Sequence, residues 1–136
     1  MIKELTTYID NNSSVLILGT NLFAGEIPTA LEGKATVVET LSPGIRNATP
    51  VQTDMGQISF RIKTRGAVGD SWFTTQATAW IVFTILHGKM QVSLPVVSSG
   101  PTYLVNISCN DPYYMGKDEK GRHVFLTNTL IYREEL

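Results

Sequence analysis

Apolar positions recur along this chain with two different periods, and the switches between them mark out its elements. Over residues 1–10, Ile2, Leu5 and Ile9 fall at helical spacing with Tyr8 beside them. That predicts a short amphipathic helix, ended by the polar run "DNNSS" at 10–14, whose side chains compete for backbone hydrogen bonds. "VLILG" (15–19) reads as a buried strand or a tight apolar segment, and "TNLFAGEIP" (20–28) follows, punctuated by Gly25 and Pro28. "ATVVETL" (35–41) reads as a strand. "SPGIRNATPVQTDMG" (42–56), rich in Pro, Gly and Asn, reads as a long loop where a partner contact is expected. "QISFRIKTR" (57–65) then alternates strictly, with Ile58, Phe60 and Ile62 on one face and Ser59, Arg61, Lys63 and Arg65 on the other.

The period changes again after "GAVGD". Asp70 or Ser71 is placed to cap a helix over 71–87, and His87 with Gly88 is placed to close it. Two apolar stripes run along this helix: Phe73, Ala77, Trp80 and Ile81 form one, and Trp72, Ala79, Val82, Phe83 and Leu86 the other. A helix apolar on two sides is buried on two sides. One sheet covers one of them, and the second is covered either by the N-terminal helix or by another subunit.

"MQVSLPVV" (90–97) reads as a strand whose Pro95 argues for a sheet edge, and "TYLVNISC" (102–109) as its neighbour. In "RHVFLTNTLIYR" (122–133) both alternating faces carry apolar or Thr residues, which implies partial cover on each. The order is α-β-β-β-α-β-β-β with short connections. It predicts a single α+β domain over 1–136: a mixed, mostly antiparallel sheet, one main helix packed on it, and a short N-terminal helix.

Composition sharpens this picture in one respect. Of the 136 residues 43% are hydrophobic, an ordinary share, but only 17% are charged, below the usual quarter. Fewer charges leave less surface that must face water, which hints at contacts with other subunits. A net charge of −1 offers no global attraction to nucleic acid. Cys109 is the single cysteine, so neither an internal disulfide nor a four-thiolate zinc site can form. The longest apolar run, "AWIVFTIL", falls well short of the ~18 residues of a membrane span, and the first residues lack a signal-peptide core. A soluble, intracellular protein without membrane partners is the expectation.

Candidate chemistry is sparse. "DEKGRH" (118–123) gathers Asp118, Glu119, Arg122 and His123, but without metal-site spacing; Gly121 between two strands favours a surface turn. Cys109 lies in the inward phase of its strand, and no motif supports a dyad with His87 or His123. "GTNLFAGE" lacks the Lys-Ser/Thr ending of a phosphate loop, and no Gly-x-Ser-x-Gly elbow is present. The row Arg61, Lys63, Arg65 is the one local basic feature; it suits phosphates, a neighbour's acids, or a plain solvated sheet face. A different class of reading, a monomeric ligand-binding domain, would line an apolar pocket with Trp72, Phe73, Trp80 and Tyr103.

Four stretches together resemble the tail-terminator and minor capsid proteins of the head–tail junction of long-tailed bacteriophages. They are the N-terminal helix leading to "LGTNLFAGEIP" (18–28), "ISFRIKTRG" (58–66) running straight into an apolar helix, the strand pair after it, and "DEKGRHVFLTNTLIY" (118–132). The resemblance implies a structural protein of the virion, made in the host cytoplasm, with no catalysis and no cofactor. It implies a homohexameric ring that terminates the tail tube and joins it to the head-completion or connector protein, with DNA passing through unread. Subunit contacts are then expected at Trp72, Ala79, Val82, Phe83 and Leu86 of the helix and at Ile45 and Arg46 of the loop, and the row Arg61, Lys63, Arg65 is expected to line the lumen or pair with a neighbour.

Overall fold

In a computed structural model, residues 1–41, 45–46, 55–100 and 102–135 are described. The architecture is the expected α+β class: two helices on a mixed, curled sheet. Its spine is a pair of long antiparallel strands, β4 (Met55–Arg65) and β8 (His123–Glu135), in unbroken register from Met55 opposite Glu134 to Arg65 opposite Val124. Each spine strand carries two shorter partners along its free edge. β2 (Ala35–Thr40) and β3 (Ile45–Arg46) share the edge of β4. β6 (Tyr103–Cys109) and β7 (Tyr113–Lys117) share that of β8. The sheet is completed by β1 (Leu22–Ala24), parallel to β2, and by β5 (Lys89–Ser93), antiparallel to β6.

Alternation on the spine sorts its side chains onto two faces. Ile58, Phe60 and Ile62 of β4 and Phe125, Thr127, Thr129 and Ile131 of β8 lie on one face and are buried there. Above them pack α1 (Ile2–Asn11), through Leu5 and Ile9, and α2 (Trp72–Leu86), through Val82 and Leu86. The opposite face carries Arg61, Lys63 and Arg65 beside Val124 and Leu126. Both faces of β8 are covered at its N-terminal half, as its composition implied.

Several segments differ from, or narrow, the pattern-based expectation. "VLILG" is not a strand, because local side chains satisfy its backbone instead. The Ser13 hydroxyl accepts the amides of Val15 and Leu16, while the Asn21 carboxamide accepts from Ile17 and donates to Val15. β1 and β7 are additional strands, three and five residues long, in stretches without clean alternation. β5 stops at Ser93, before Pro95, and β4 begins at Met55. The expected loop over 42–56 is therefore bounded by strand at both ends: the backbone of Ile45 and Arg46 pairs with Gln57 and Gly56, while residues 42–44 and 47–54 lie outside the described residues.

Helix α2 begins where its cap predicts, with the Ser71 hydroxyl accepting the Thr74 amide at 3.1 Å. It ends at His87, and Gly88 takes the positive φ of 76° that turns the chain into β5. Its first turn approaches β4 so closely at Gly66 that a Cβ there would collide with the Thr75 hydroxyl. Gly66→Ala should therefore cost about 1–3 kcal/mol, measured by chemical denaturation, with part of the loss recovered in Gly66→Ala/Thr75→Ala. A neutral Gly66→Ala would show that the helix is free to shift.

Candidate interaction surfaces

The charged turn holds the fold together. Asp118 Oδ1 accepts the amides of Lys120 and Arg122, and its Oδ2 accepts Arg122 Nε at 2.7 Å. Gly121, at φ 75°, lets the chain close between β7 and β8. Arg122 then donates to the Glu32 carbonyl at 3.0 Å, while Arg65 donates to the carbonyls of Leu31 and Gly33 at 3.0 and 2.8 Å. Two guanidiniums thus clamp the crossover loop that joins the parallel strands β1 and β2. Lys120 adds an exposed pair with Glu32 at 2.6 Å. Partial burial raises the Asp118 carboxyl, but the hydrogen bonds from Arg122 and Lys120 outweigh it and hold the carboxyl below its ordinary value. Burial, and then the like charge of Arg122, lowers Arg65.

The basic row on β4 is accordingly not a row of exposed cations. Arg65 is 8% exposed and committed to the clamp. Arg61 pairs at 2.6 Å with Glu39, its cross-strand partner on β2. Lys63 alone has no carboxylate within 4.0 Å among the described residues. It borders a trough of about 260 Å³ that crosses from Glu39 to Met115, floored by Val124 and Leu126.

On α2 the two apolar stripes separate cleanly. Ala79, Val82 and Leu86 are each 0% exposed inside this chain's own core, so their expected role at a subunit interface is corrected: the sheet and α1 already cover them. Trp72 is half-buried, edge-on to Phe125 at 5.3 Å, and Phe83 is half-buried, stacked on His87 at 4.6 Å. The stripe facing outward is Phe73, Ala77, Trp80 and Thr84, with Phe73 74% exposed. Beside Trp80 an open groove of about 420 Å³ runs between Ile81, Ile85 and the segment from Asn12 to Val15. No residue from Trp72 to Leu86 carries a charge.

No catalytic arrangement emerges among the described residues. The Cys109 amide donates to His87 Nδ1 at 3.0 Å, so that ring nitrogen is occupied by backbone. Burial pushes the Cys109 thiol up, only partly offset by the Thr129 hydroxyl at 3.3 Å. His123 lies six residues from Thr129 along β8, about 20 Å away, and its Nδ1 is 2.9 Å from the Tyr114 hydroxyl. No group of three His, Cys, Asp or Glu side chains with metal-site geometry occurs among the described residues. The aromatic ligand pocket does not form either: Tyr103 is buried under Arg133 on β6, away from exposed Phe73. A partly enclosed cavity lined by Thr36, Thr64 and Thr75 is about 50 Å³. That is room for water rather than for a ligand needing about 300 Å³ or more.

No protein-family model and no curated protein matches the chain. Solved structures do. A chain of a structure described as "Virion of native gene transfer agent (GTA) particle" superposes with a TM-score of 0.55, covering 97% of this chain and 84% of that one at 16% identity. At that identity the likeness establishes a shared fold over almost the whole chain.

The clamp makes a pH prediction. The Asp118 carboxyl is depressed in the folded state, so its stabilisation is complete above the unfolded value near 3.8 and is lost as the pH falls through the lower folded one. Asp118→Asn should lower the melting temperature at pH 7 and flatten its decline between pH 4 and pH 2. Parallel wild-type and variant curves over that range would show that the carboxylate contributes nothing.

Proposed function

We propose that this chain is a non-enzymatic structural protein of a phage-like virion that assembles into a homohexameric ring at the head–tail junction. There it terminates the tail tube and meets the head-completion or connector protein, with DNA passing through the ring. The observation that supports this reading best is the fold shared, over 97% of the chain, with a chain of an assembled virion particle. Two features of the surface agree with it. The outward stripe of α2 presents Phe73 and Trp80 with no charge along the entire helix, and large aromatics on an uncharged surface are what contact residues look like. The polar groups that might have carried chemistry are committed elsewhere, Arg65, Arg122 and Asp118 to the loop clamp and His87 to the β6 backbone. In this reading the contact residues of α2 are Phe73 and Trp80, with half-buried Trp72 and Phe83 supporting them from behind.

Native mass spectrometry over a wide concentration range tests the ring. The expected species is six copies of the 15.0 kDa chain, about 90 kDa. Incubation with purified tail tubes tests the position: a terminator binds tube ends and halts their growth, whereas another neck component binds the connector and leaves growth unchanged. A chain that stays monomeric both alone and with tubes would end the reading.

A further inference from the structure

The helix layer and the open face of the sheet lie on opposite sides of this molecule, and each offers an unpartnered surface of a different shape. On the helix side, the α2 stripe is a ridge, with Phe73 and Trp80 seven residues or about 10 Å apart along the axis. On the sheet side, the trough is concave and spans β2, β4, β8 and β7, three interstrand spacings or about 14 Å, enough to seat one helix. Its floor is Val124 and Leu126, its rim carries Met115 at 55% exposure, and its walls carry Lys63, Lys117, the Arg61–Glu39 pair and Asp118, which is paired with Arg122.

We infer that the outward ridge of α2 in one copy docks into the sheet-face trough of the next, with Phe73 and Trp80 as the inserted residues. This rests on the ring reading above and names the surfaces that would close it. The chemistry is matched as well as the shape. A helix with no charge of its own brings no ion into the contact, and in the trough wall Arg61 and Asp118 keep their partners Glu39 and Arg122 when it is covered. Lys63, without a carboxylate of its own among the described residues, can set its ammonium against an aromatic face while its stem lies along the apolar floor. Met115 supplies a thioether that adapts to the entering ring. Two troughs cannot fill each other, being both concave, so this contact is heterologous. Repeated, it turns each copy relative to the last and closes into a ring when the turn divides the circle.

Two variants decide it. Phe73→Ser/Trp80→Ser removes the ridge and keeps the trough; Lys63→Glu/Met115→Asp spoils the trough and keeps the ridge. Each alone should associate at least about tenfold more weakly than wild type and run as a monomer where wild type is oligomeric, by native mass spectrometry and sedimentation. Mixed in equal amounts, they should form one intact contact and stop there, giving a heterodimer of two 15.0 kDa chains, about 30 kDa, and nothing longer. Circular dichroism checks that each variant is folded, and Lys63→Gln/Met115→Gln replaces the trough variant if it is not. A mixture that stays monomeric while wild type is oligomeric overturns this contact and leaves the ring standing, as would assembly of either variant alone. A helix-to-helix contact would show as assembly by the trough variant. A wild type that stays monomeric both alone and with tail tubes overturns both.

Discussion

The register between β4 and β8 is the constraint on which the rest of this molecule depends. Eleven consecutive residue pairs, Met55 with Glu134 through Arg65 with Val124, fix which side chains of both strands face the helices. A slip of one residue would carry Phe60, Ile62 and Ile131 to the open face and bring Arg61 and Lys63 under α2. Stripping hydration from two cations under a helix costs several kcal/mol each, so the alternative register has no stable core. All the remaining strands are attached to this pair directly or through one neighbour. The two surfaces proposed to meet across a subunit boundary lie on opposite sides of the sheet for the same reason, since adjacent residues of one strand supply core and trough alternately.

The second organising feature is the crossover between parallel strands. β1 and β2 are joined by residues 25–34, which contain no helix to pack against the sheet. Such a connection has few apolar contacts with which to hold itself down, and it is held by carbonyls instead. Arg65 at the end of β4 and Arg122 at the start of β8 reach the carbonyls of Leu31, Glu32 and Gly33. Two neighbouring guanidiniums are tolerable because Asp118 accepts from one of them and backbone oxygens accept from both. Hydrogen bonds to charged donors contribute roughly 1.5–3 kcal/mol each, enough to order a loop of this length. The cluster that looks most like a site in the sequence is thus an anchor for a segment ninety residues away in the chain, a distance that local patterning does not reveal.

Legibility followed periodicity. β4, β8, β6 and both helices were readable because each repeats an apolar position over at least two turns or three alternations. β1, β3 and β7 were not, because they are short or half-exposed and owe their strand geometry to a neighbour's edge rather than to their own side chains. "VLILG" left two readings open, strand or tight apolar segment, and the second holds: it is pinned by Ser13 and Asn21, with Leu16 inside and Val15, Ile17 and Leu18 at 50%, 48% and 43% exposure. On α2 the pattern correctly implied two apolar sides but not which one the sheet takes. The sheet takes the side of Ala79, Val82 and Leu86, each fully buried, and leaves Phe73 and Trp80 outside.

That choice of faces bears on function. Had the sheet taken the Phe73–Trp80 side, the outward residues would have been Thr75, Ala79 and Val82, a low ridge of ordinary aliphatic character. The fold instead buries Ala79 and Val82 and leaves Phe73 and Trp80 outside. A low fraction of charge, an uncharged helix and two aromatics exposed on it all agree with the ring proposed above. In that proposed ring, a closed set of identical copies would cover those surfaces with a single kind of contact.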